Sequence, residues 1–96
     1  MTLITLPSAR EDLAAGCDFY EQQEDGAGIY FLESLFSDIE SLKLYAGIHR
    51  KVFGYHRLLS KRFPFAIYFS VETEEVRVRA VLDCRRDPAW IRQRLK

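Results

Sequence analysis

The chain has 96 residues, of which 48% are hydrophobic and 29% are charged, and its formal net charge is zero. This length predicts a single domain over residues 1–96, and the apolar share is too high for a disordered tail. With no apolar run of about 18 residues and no basic region at the N-terminus, we expect neither a membrane span nor a secretory signal, and hence a cytoplasmic protein.

A helical hairpin is predicted for the first half of the chain. Residues 2–6 form a short β-prone run, and Ser8 with Glu11 matches a capping box at the start of a first helix. That helix should end near Glu24, ahead of a short glycine-containing link, so the second helix should return antiparallel to it. The second helix is predicted to bury one apolar stripe, formed by Leu32, Leu35, Phe36, Ile39 and Leu42.

From Val52 onwards the hydrophobic period changes from about 3.6 to about 2 residues, which predicts strands. Residues 52–60 alternate roughly, and residues 65–71 alternate clearly. In the next run, Val76, Val78, Ala80 and Leu82 are predicted to share one face, with Cys84 in phase. Three consecutive strands with short links indicate an antiparallel meander, and the helical hairpin is expected to cover its apolar face.

A last helix is predicted to start at Asp87 as N-cap with Pro88 at its first position. Trp90, Ile91 and Leu95 should pack back onto the sheet. The predicted fold class is therefore α+β in the order β-α-α-β-β-β-α, with an N-terminal helical hairpin packed on a small antiparallel sheet.

The cysteines and histidines do not suggest a metal or a disulfide. Cys17 and Cys84 are too few for a disulfide framework and both fall on predicted apolar faces, so we expect buried, reduced thiols. Two histidines and scattered carboxylates lack the spacing of a metal site, and no cofactor motif is present. We expect neither a metal nor another cofactor.

The charges are sorted along the chain although their sum is zero. Residues 1–48 carry nine carboxylates against Arg10 and Lys43, a formal charge of −7, and residues 49–96 carry +7. This asymmetry predicts that the second half binds a polyanion or a protein partner with an acidic segment.

Three arginines, Arg57, Arg62 and Arg85, are predicted to converge near one end of the sheet, where guanidinium groups would suit phosphate oxygens. The alternative is that the basic residues form solvated faces and ion pairs with the acidic hairpin. His56 has the chemistry of a general base, but it should point to the opposite face of its strand from Arg57. For Asp83, an ion pair with Arg79 or Arg85 is the alternative to a catalytic acid.

Several segments, taken together and in this order, resemble the RelE/ParE superfamily of toxins from type II toxin–antitoxin systems, often labelled plasmid stabilisation proteins. The segments are Ala9–Leu13 with Asp18–Tyr20, Gly26–Gly28 leading to Phe31-Leu32, Tyr55-His-Arg57, Arg62-Phe-Pro-Phe-Ala-Ile-Tyr68, Val76–Val81, and Arg85-Arg-Asp-Pro88 with Trp90. The resemblance covers essentially the whole chain. It implies two helices packed on an antiparallel sheet, in agreement with the order above.

The resemblance also implies a function and a partner. A toxin of this kind inhibits growth unless it is bound by a cognate antitoxin, for which we expect an acidic or amphipathic segment. The RelE-like branch cleaves messenger RNA in the ribosome, whereas the ParE-like branch acts on DNA gyrase without being a nuclease. Asp83 stands where many relatives carry histidine, and no tyrosine follows Arg86, so this chain departs from the nuclease pattern. The departure favours the ParE-like function over a RelE-like endoribonuclease or a degenerate member that only binds its partner, and leaves open whether the protein is an enzyme.

The charge pattern and the resemblance together indicate which residues are expected to form the functional site. If the chain is a nuclease, its catalytic residues are expected to be Arg57, Arg62, Arg85, Asp83 and His56. The residues expected to bind the antitoxin or nucleic acid are Arg57, Lys61, Arg62, Arg77, Arg79, Arg85 and Arg86.

Overall fold

The computed structural model describes residues 1–96, with every side chain except that of Ile48. A first strand leads into the two long helices of the hairpin, and a short helix and a 3₁₀ turn connect them to four further strands and a last helix. The elements are β1 (Thr2–Thr5), α1 (Pro7–Gln23), α2 (Ala27–Glu40), α3 (Leu42–Tyr45), the 3₁₀ turn (Ala46–Ile48), β2 (Lys51–Val52), β3 (Tyr55–Leu59), β4 (Phe65–Val71), β5 (Glu75–Asp83) and α4 (Pro88–Arg94).

The five strands form one sheet in the order β1-β5-β4-β3-β2. The pairs β2–β3, β3–β4 and β4–β5 are antiparallel, which is the predicted meander. β1 adds a parallel edge strand, with Thr2 opposite Glu75 and Thr5 opposite Val78, so the sheet is mixed. The α+β class and the hairpin packed on the sheet are confirmed. The pairing of β1 with β5 joins residues about 70 positions apart, so the local periodicity of the sequence does not reveal it.

Helices cover both faces of the sheet. On the face that we call the hairpin face, Phe65, Ile67 and Phe69 of β4 pack with buried residues of α1 and α2 such as Phe31 and Leu35. On the opposite face, which we call the α4 face, Ala66, Tyr68, Ala80 and Leu82 pack with Ile91 and Leu95. Alternate residues of β4 are therefore buried on both sides, as is usual for a strand sandwiched between helices.

A β-bulge changes the phase of β5. Phe69 lies opposite Val78 while Tyr68 lies opposite Ala80, so Arg79 is an extra residue in the ladder. The prediction that Val78 and Ala80 share a face is therefore wrong, because the extra residue turns Ala80 to the α4 face.

The predicted capping box at Ser8 is also wrong. α1 begins at Pro7 with no side-chain cap. The Ser8 hydroxyl instead donates a hydrogen bond of 2.9 Å to the carbonyl of Arg79. Ser8 thus satisfies a backbone acceptor at the bulge rather than the first turn of its own helix.

The strand predicted over residues 52–60 is a tight hairpin. β2 and β3 pair on either side of Phe53 and Gly54, whose φ angles are 56° and 87°. Positive φ at both central residues is the signature of a type I′ turn, whose twist matches that of the flanking strands.

The second helix buries a stripe that is rotated from the predicted one. Phe31 is fully buried, whereas Phe36, which was expected in the core, is 51% exposed. The burial of Phe31 follows from packing against α1, where its ring fills the space beside Gly16.

The last helix begins as predicted, since the Asp87 side chain accepts a hydrogen bond of 2.9 Å from the Ala89 amide. Ile91 and Leu95 are buried, but Trp90 is 39% exposed.

Cys17 is half-buried, whereas Cys84 is exposed, in contrast to the prediction, because it lies in the turn after β5 has ended. Within the part of the chain that the structure describes, no helix has both the length and the apolar character to span a membrane.

Candidate partner-binding surface

The seven basic residues expected to bind a partner fall into two groups. Arg77, Arg79 and Arg85 are held by groups of the protein itself: Arg77 by Glu75, Arg85 by Asp83, and Arg79 by the Ser8 hydroxyl and the Lys96 carbonyl. Among the described side chains, the other four have no carboxylate within 4.0 Å, and these are Arg57, Lys61, Arg62 and Arg86. We call these four the uncommitted cations.

Arg57 lies near the outer edge of the sheet, on the α4 face. It is half-buried and sits opposite Tyr68 in the β3–β4 ladder, while its amide donates a hydrogen bond of 3.0 Å to the Arg50 carbonyl. Burial raises the pKa of the Tyr68 phenol, and the guanidinium of Arg57 opposes that rise. A fixed positive charge is thus held against a neutral phenol at this edge.

Asp83 and Arg85 form an ion pair just beyond the end of β5. The Arg85 side chain donates hydrogen bonds of 3.0 Å and 2.7 Å to the two carboxylate oxygens, and its amide donates a third of 2.8 Å. The Arg85 side chain lowers the pKa of Asp83, and Asp83 raises the pKa of Arg85. The ion pair expected as the alternative role for Asp83 is present, with Arg85 as the partner.

His56 points to the hairpin face, as its position next to Arg57 predicts. Its ring stacks on Phe69 with a centroid distance of 5.4 Å, and its Nδ1 lies 2.7 Å from the carbonyl oxygen of His49. The imidazole and the guanidinium of Arg57 are therefore separated by the sheet.

Two of the three arginines predicted to converge act on the same thiol. Desolvation raises the pKa of the Cys84 thiol, and the charges of Arg57 and Arg85 both oppose that rise. Arg62 lies exposed in the β3–β4 loop, where no hydrogen bond of its side chain is described.

Sequence reasoning missed the residue that positions this loop. The Asp38 carboxylate is only 6% exposed and accepts hydrogen bonds of 2.8 Å from the Ser60 hydroxyl and 3.4 Å from the Lys61 amide. The loop that carries Lys61 and Arg62 is thereby tied to the end of α2. The predicted stripe of α2 left Asp38 outside the core, and Asp38 is buried because the observed stripe is rotated from the predicted one. Its hydrogen bonds are then expected, since buried carboxylates almost always have partners.

Arg86 takes a different position from the other uncommitted cations. Its guanidinium stacks over the Trp90 ring at 3.7 Å from the centroid, at the start of α4.

In the described residues, no group of three His, Cys, Asp or Glu side chains is arranged to hold a metal ion.

No family model and no curated protein matches the sequence. The fold is similar to that of a chain in a solved structure described as the chromosomal ParDE TA (toxin–antitoxin) system from P. aeruginosa. The TM-score is 0.73 with 23% sequence identity, over 84% of this chain and 92% of that chain. The fold expected from the resemblance to the RelE/ParE superfamily is therefore confirmed.

Proposed function

We propose that this protein is the toxin component of a type II toxin–antitoxin module and that it inhibits DNA gyrase, as ParE-like toxins do, when it is free of its antitoxin. The similarity in fold to a chain of a ParDE TA system supports the first part. The observation that carries the second part is the separation of His56 from Arg57 by the sheet.

Cleavage of RNA requires a base at the attacking hydroxyl and an acid at the leaving oxygen, both within hydrogen-bond reach of one phosphate. His56 is stacked on a core residue on the hairpin face, away from the arginine that would bind that phosphate. Asp83 is bound by Arg85, which lowers its pKa and keeps the carboxylate ionised at neutral pH, so it has no proton to donate. This arrangement favours a toxin that acts by binding.

The uncommitted cations support an acidic antitoxin segment as the partner. Arg57 is half-buried, and Lys61 and Arg62 are exposed on a loop fixed by Asp38. A segment with carboxylates along one side would neutralise these charges, and charge-assisted hydrogen bonds to arginine are among the stronger polar contacts.

A RelE-like endoribonuclease is the second candidate. The half-buried guanidinium of Arg57 could bind a phosphate, and the other uncommitted cations would attract RNA. A third candidate is a degenerate member that only binds its partner, in which case the chain would not inhibit growth.

One experiment separates the three candidates. The chain is induced with and without the neighbouring open reading frame, and the purified protein is then added to a gyrase supercoiling reaction and to a translation extract. We expect growth arrest that the neighbouring product relieves, loss of supercoiling, and intact messenger RNA. Cleaved messages that become intact with Arg57→Ala, but not with the matched surface variant Arg92→Ala, would instead identify the nuclease. Normal growth on induction alone would favour the degenerate member.

A further inference from the structure

A cavity of about 260 Å³ lies between α1, the end of β5 and the start of α4. It is lined by Ala15 and Phe19 of α1, by Phe65 and Leu82 of the sheet, and by Trp90 of α4. The volume is below the roughly 300–1,000 Å³ of small-molecule sites, and it suits a single large side chain.

We call this space the α1–α4 cavity, and two exposed aromatic residues line it. Phe19 is 50% exposed and Trp90 is 39% exposed. Exposed aromatic residues that flank a concave site are typical of binding surfaces, where a partner side chain removes them from water.

Three charged residues also line the cavity, and two of them are already neutralised. The Asp12 carboxylate accepts hydrogen bonds from the Arg94 guanidinium at 2.6 Å and from the Val81 amide at 3.0 Å. The Asp83 carboxylate is bound by Arg85 through both oxygens. Each of the two carboxylates is therefore already bound by an arginine, and that of Asp12 also by a backbone amide.

Arg86 is the third charged residue, and it carries the remaining charge of the cavity. Its guanidinium stacks on Trp90, which leaves the N–H groups in the plane of the guanidinium directed away from the ring. No carboxylate of the described side chains lies within 4.0 Å of it. The lining of the cavity thus combines apolar side chains with one cation that no carboxylate neutralises.

We infer that the α1–α4 cavity receives one apolar anchor residue of the antitoxin, with an adjacent carboxylate bound by Arg86. This inference rests on the proposed function and extends it by naming the chemistry of one contact. Interface energy concentrates in a few anchors that fill desolvated pockets, and aromatic and arginine residues are enriched among them. The cavity would supply such a pocket in addition to the contact with Arg57, which lies on β3 and does not line the cavity.

The chain contains a single tryptophan, so Trp90 reports on the cavity without labelling of other sites. The first measurement titrates 3-phenylpropionate, an apolar group with a carboxylate, and follows the indole N–H signal of Trp90 by NMR. Its uncharged analogue 3-phenylpropanamide is the ligand control. We expect the acid to shift the signal and the amide to bind about tenfold more weakly, the scale of one lost charge-assisted hydrogen bond.

Two pairs of variants locate the effect. Ala15→Leu fills the cavity from an exposed helical position, and Ser37→Leu adds the same residue to the exposed face of α2. Arg86→Gln removes the cation, and Arg92→Gln makes the same charge change elsewhere near α4. Ala15→Leu should abolish binding of both ligands, and Arg86→Gln should remove the preference for the acid, while both controls behave as wild type. Circular dichroism confirms that each variant is folded.

The second measurement uses the complex with the product of the neighbouring open reading frame. Ala15→Leu and Arg86→Gln should each weaken that complex at least about tenfold relative to their controls. Equal binding of acid and amide, an unmoved Trp90 signal, or a complex unaffected by either variant would overturn the inference while leaving the toxin–antitoxin function intact. If the wild-type protein forms no complex at all, both the inference and the proposed partner fail.

Discussion

Asp12 connects three parts of the molecule through one carboxylate. β1 leaves the sheet after pairing as far as Val78, so the amide of Val81 further along β5 has no strand partner on that side. Asp12 of α1 accepts a hydrogen bond from this amide at 3.0 Å and another from Arg94 of α4 at 2.6 Å. Among the ion pairs described, the pair of Asp12 with Arg94 is the one that joins the acidic first half of the chain to the basic second half.

Replacing Asp12 should show which of its two bonds matters for stability. Asp12→Ala leaves the Val81 amide without an acceptor and should lower the free energy of unfolding by about 1–3 kcal/mol. Asp12→Asn keeps a carbonyl oxygen for that amide and loses only the pair with Arg94, which can still be hydrated, so its effect should be smaller. Urea denaturation measures both, with the exposed Asp18→Ala as a matched control expected within about 0.5 kcal/mol of wild type. Equal losses for the two Asp12 variants would show that the ion pair dominates.

The same residue predicts a pH dependence. Burial raises the pKa of Asp12 from its ordinary value of 3.8, and the bonds from Val81 and Arg94 only partly offset this effect. Because the folded state then holds the proton more tightly than the unfolded state, the contribution of Asp12 to stability is largest below pH 3.8 and decreases as the pH rises through the raised folded-state pKa. The free energy of unfolding of the wild type, measured relative to that of Asp12→Asn, should therefore decrease as the pH rises over this window. An increase of this relative stability with pH would contradict the burial argument.

At the scale of elements, the local sequence pattern predicted which helices and strands form, but it predicted poorly which side chains share a face of the sheet. The helical hairpin, the meander and the Asp87 cap could all be predicted because each depends on neighbours in sequence. The bulge at Arg79 could not, since it is stabilised by Ser8 and the Lys96 carbonyl, which are distant in sequence. Ala80, Val81 and Leu82 are apolar in succession because both faces of the sheet are covered there, so alternation alone did not identify the residue at which the faces exchange.

The same limit applies to the candidate site. The count of charges identified the basic residues, and strand alternation predicted that His56 and Arg57 point to opposite faces of the sheet. The pair of Asp83 with Arg85 was one of the alternatives expected from the sequence. The partners of Arg79 could not be predicted, because Ser8 and the Lys96 carbonyl lie near the ends of the chain. The cavity between α1 and α4 depends on the approach of residues about 70 positions apart, such as Asp12 and Asp83.

The β2–β3 turn gives a prediction at this scale. Phe53 has a φ of 56°, a region in which a bulky residue is strained, and its ring lies 5.2 Å from the Arg92 guanidinium. Asparagine tolerates this conformation and is the preferred partner of glycine in type I′ turns. Phe53→Asn should raise the free energy of unfolding by about 0.5–1 kcal/mol, and Gly54→Ala should lower it by about 1–2 kcal/mol. A loss of stability in Phe53→Asn would show that the contact with Arg92 outweighs the backbone strain.

Across the whole molecule, the charge separation seen in the sequence becomes a separation of surfaces. Nine of the fourteen carboxylates lie on α1, on α2 and in the link between them, whereas the uncommitted cations lie along the β3–β4 side and near the start of α4. The molecule is therefore polar despite its zero net charge, and an acidic partner should approach in a preferred orientation.

Arg57 provides the sharpest test of this view, because it is half-buried and borders a hollow of about 400 Å³ that Arg50 also lines. Arg57→Glu should weaken the complex with the proposed antitoxin by at least about 2 kcal/mol, since it replaces an attraction with a repulsion that solvent screens incompletely. Arg92→Glu makes the same charge change at an exposed position of α4 and should have a much smaller effect. Surface plasmon resonance with the purified complex measures both variants.

The salt dependence of the same measurement separates steering from anchoring. Raising the ionic strength from about 0.1 M to about 1 M shortens the screening length from about 10 Å to about 3 Å. If the separated charges orient the partner, association of the wild type should slow over this range while its dissociation changes less. Arg57→Glu should associate slowly at low salt and respond weakly to added salt. Equal affinities for Arg57→Glu and Arg92→Glu, with no effect of salt on association, would mean that apolar anchors carry the recognition and that the charge separation has no part in it.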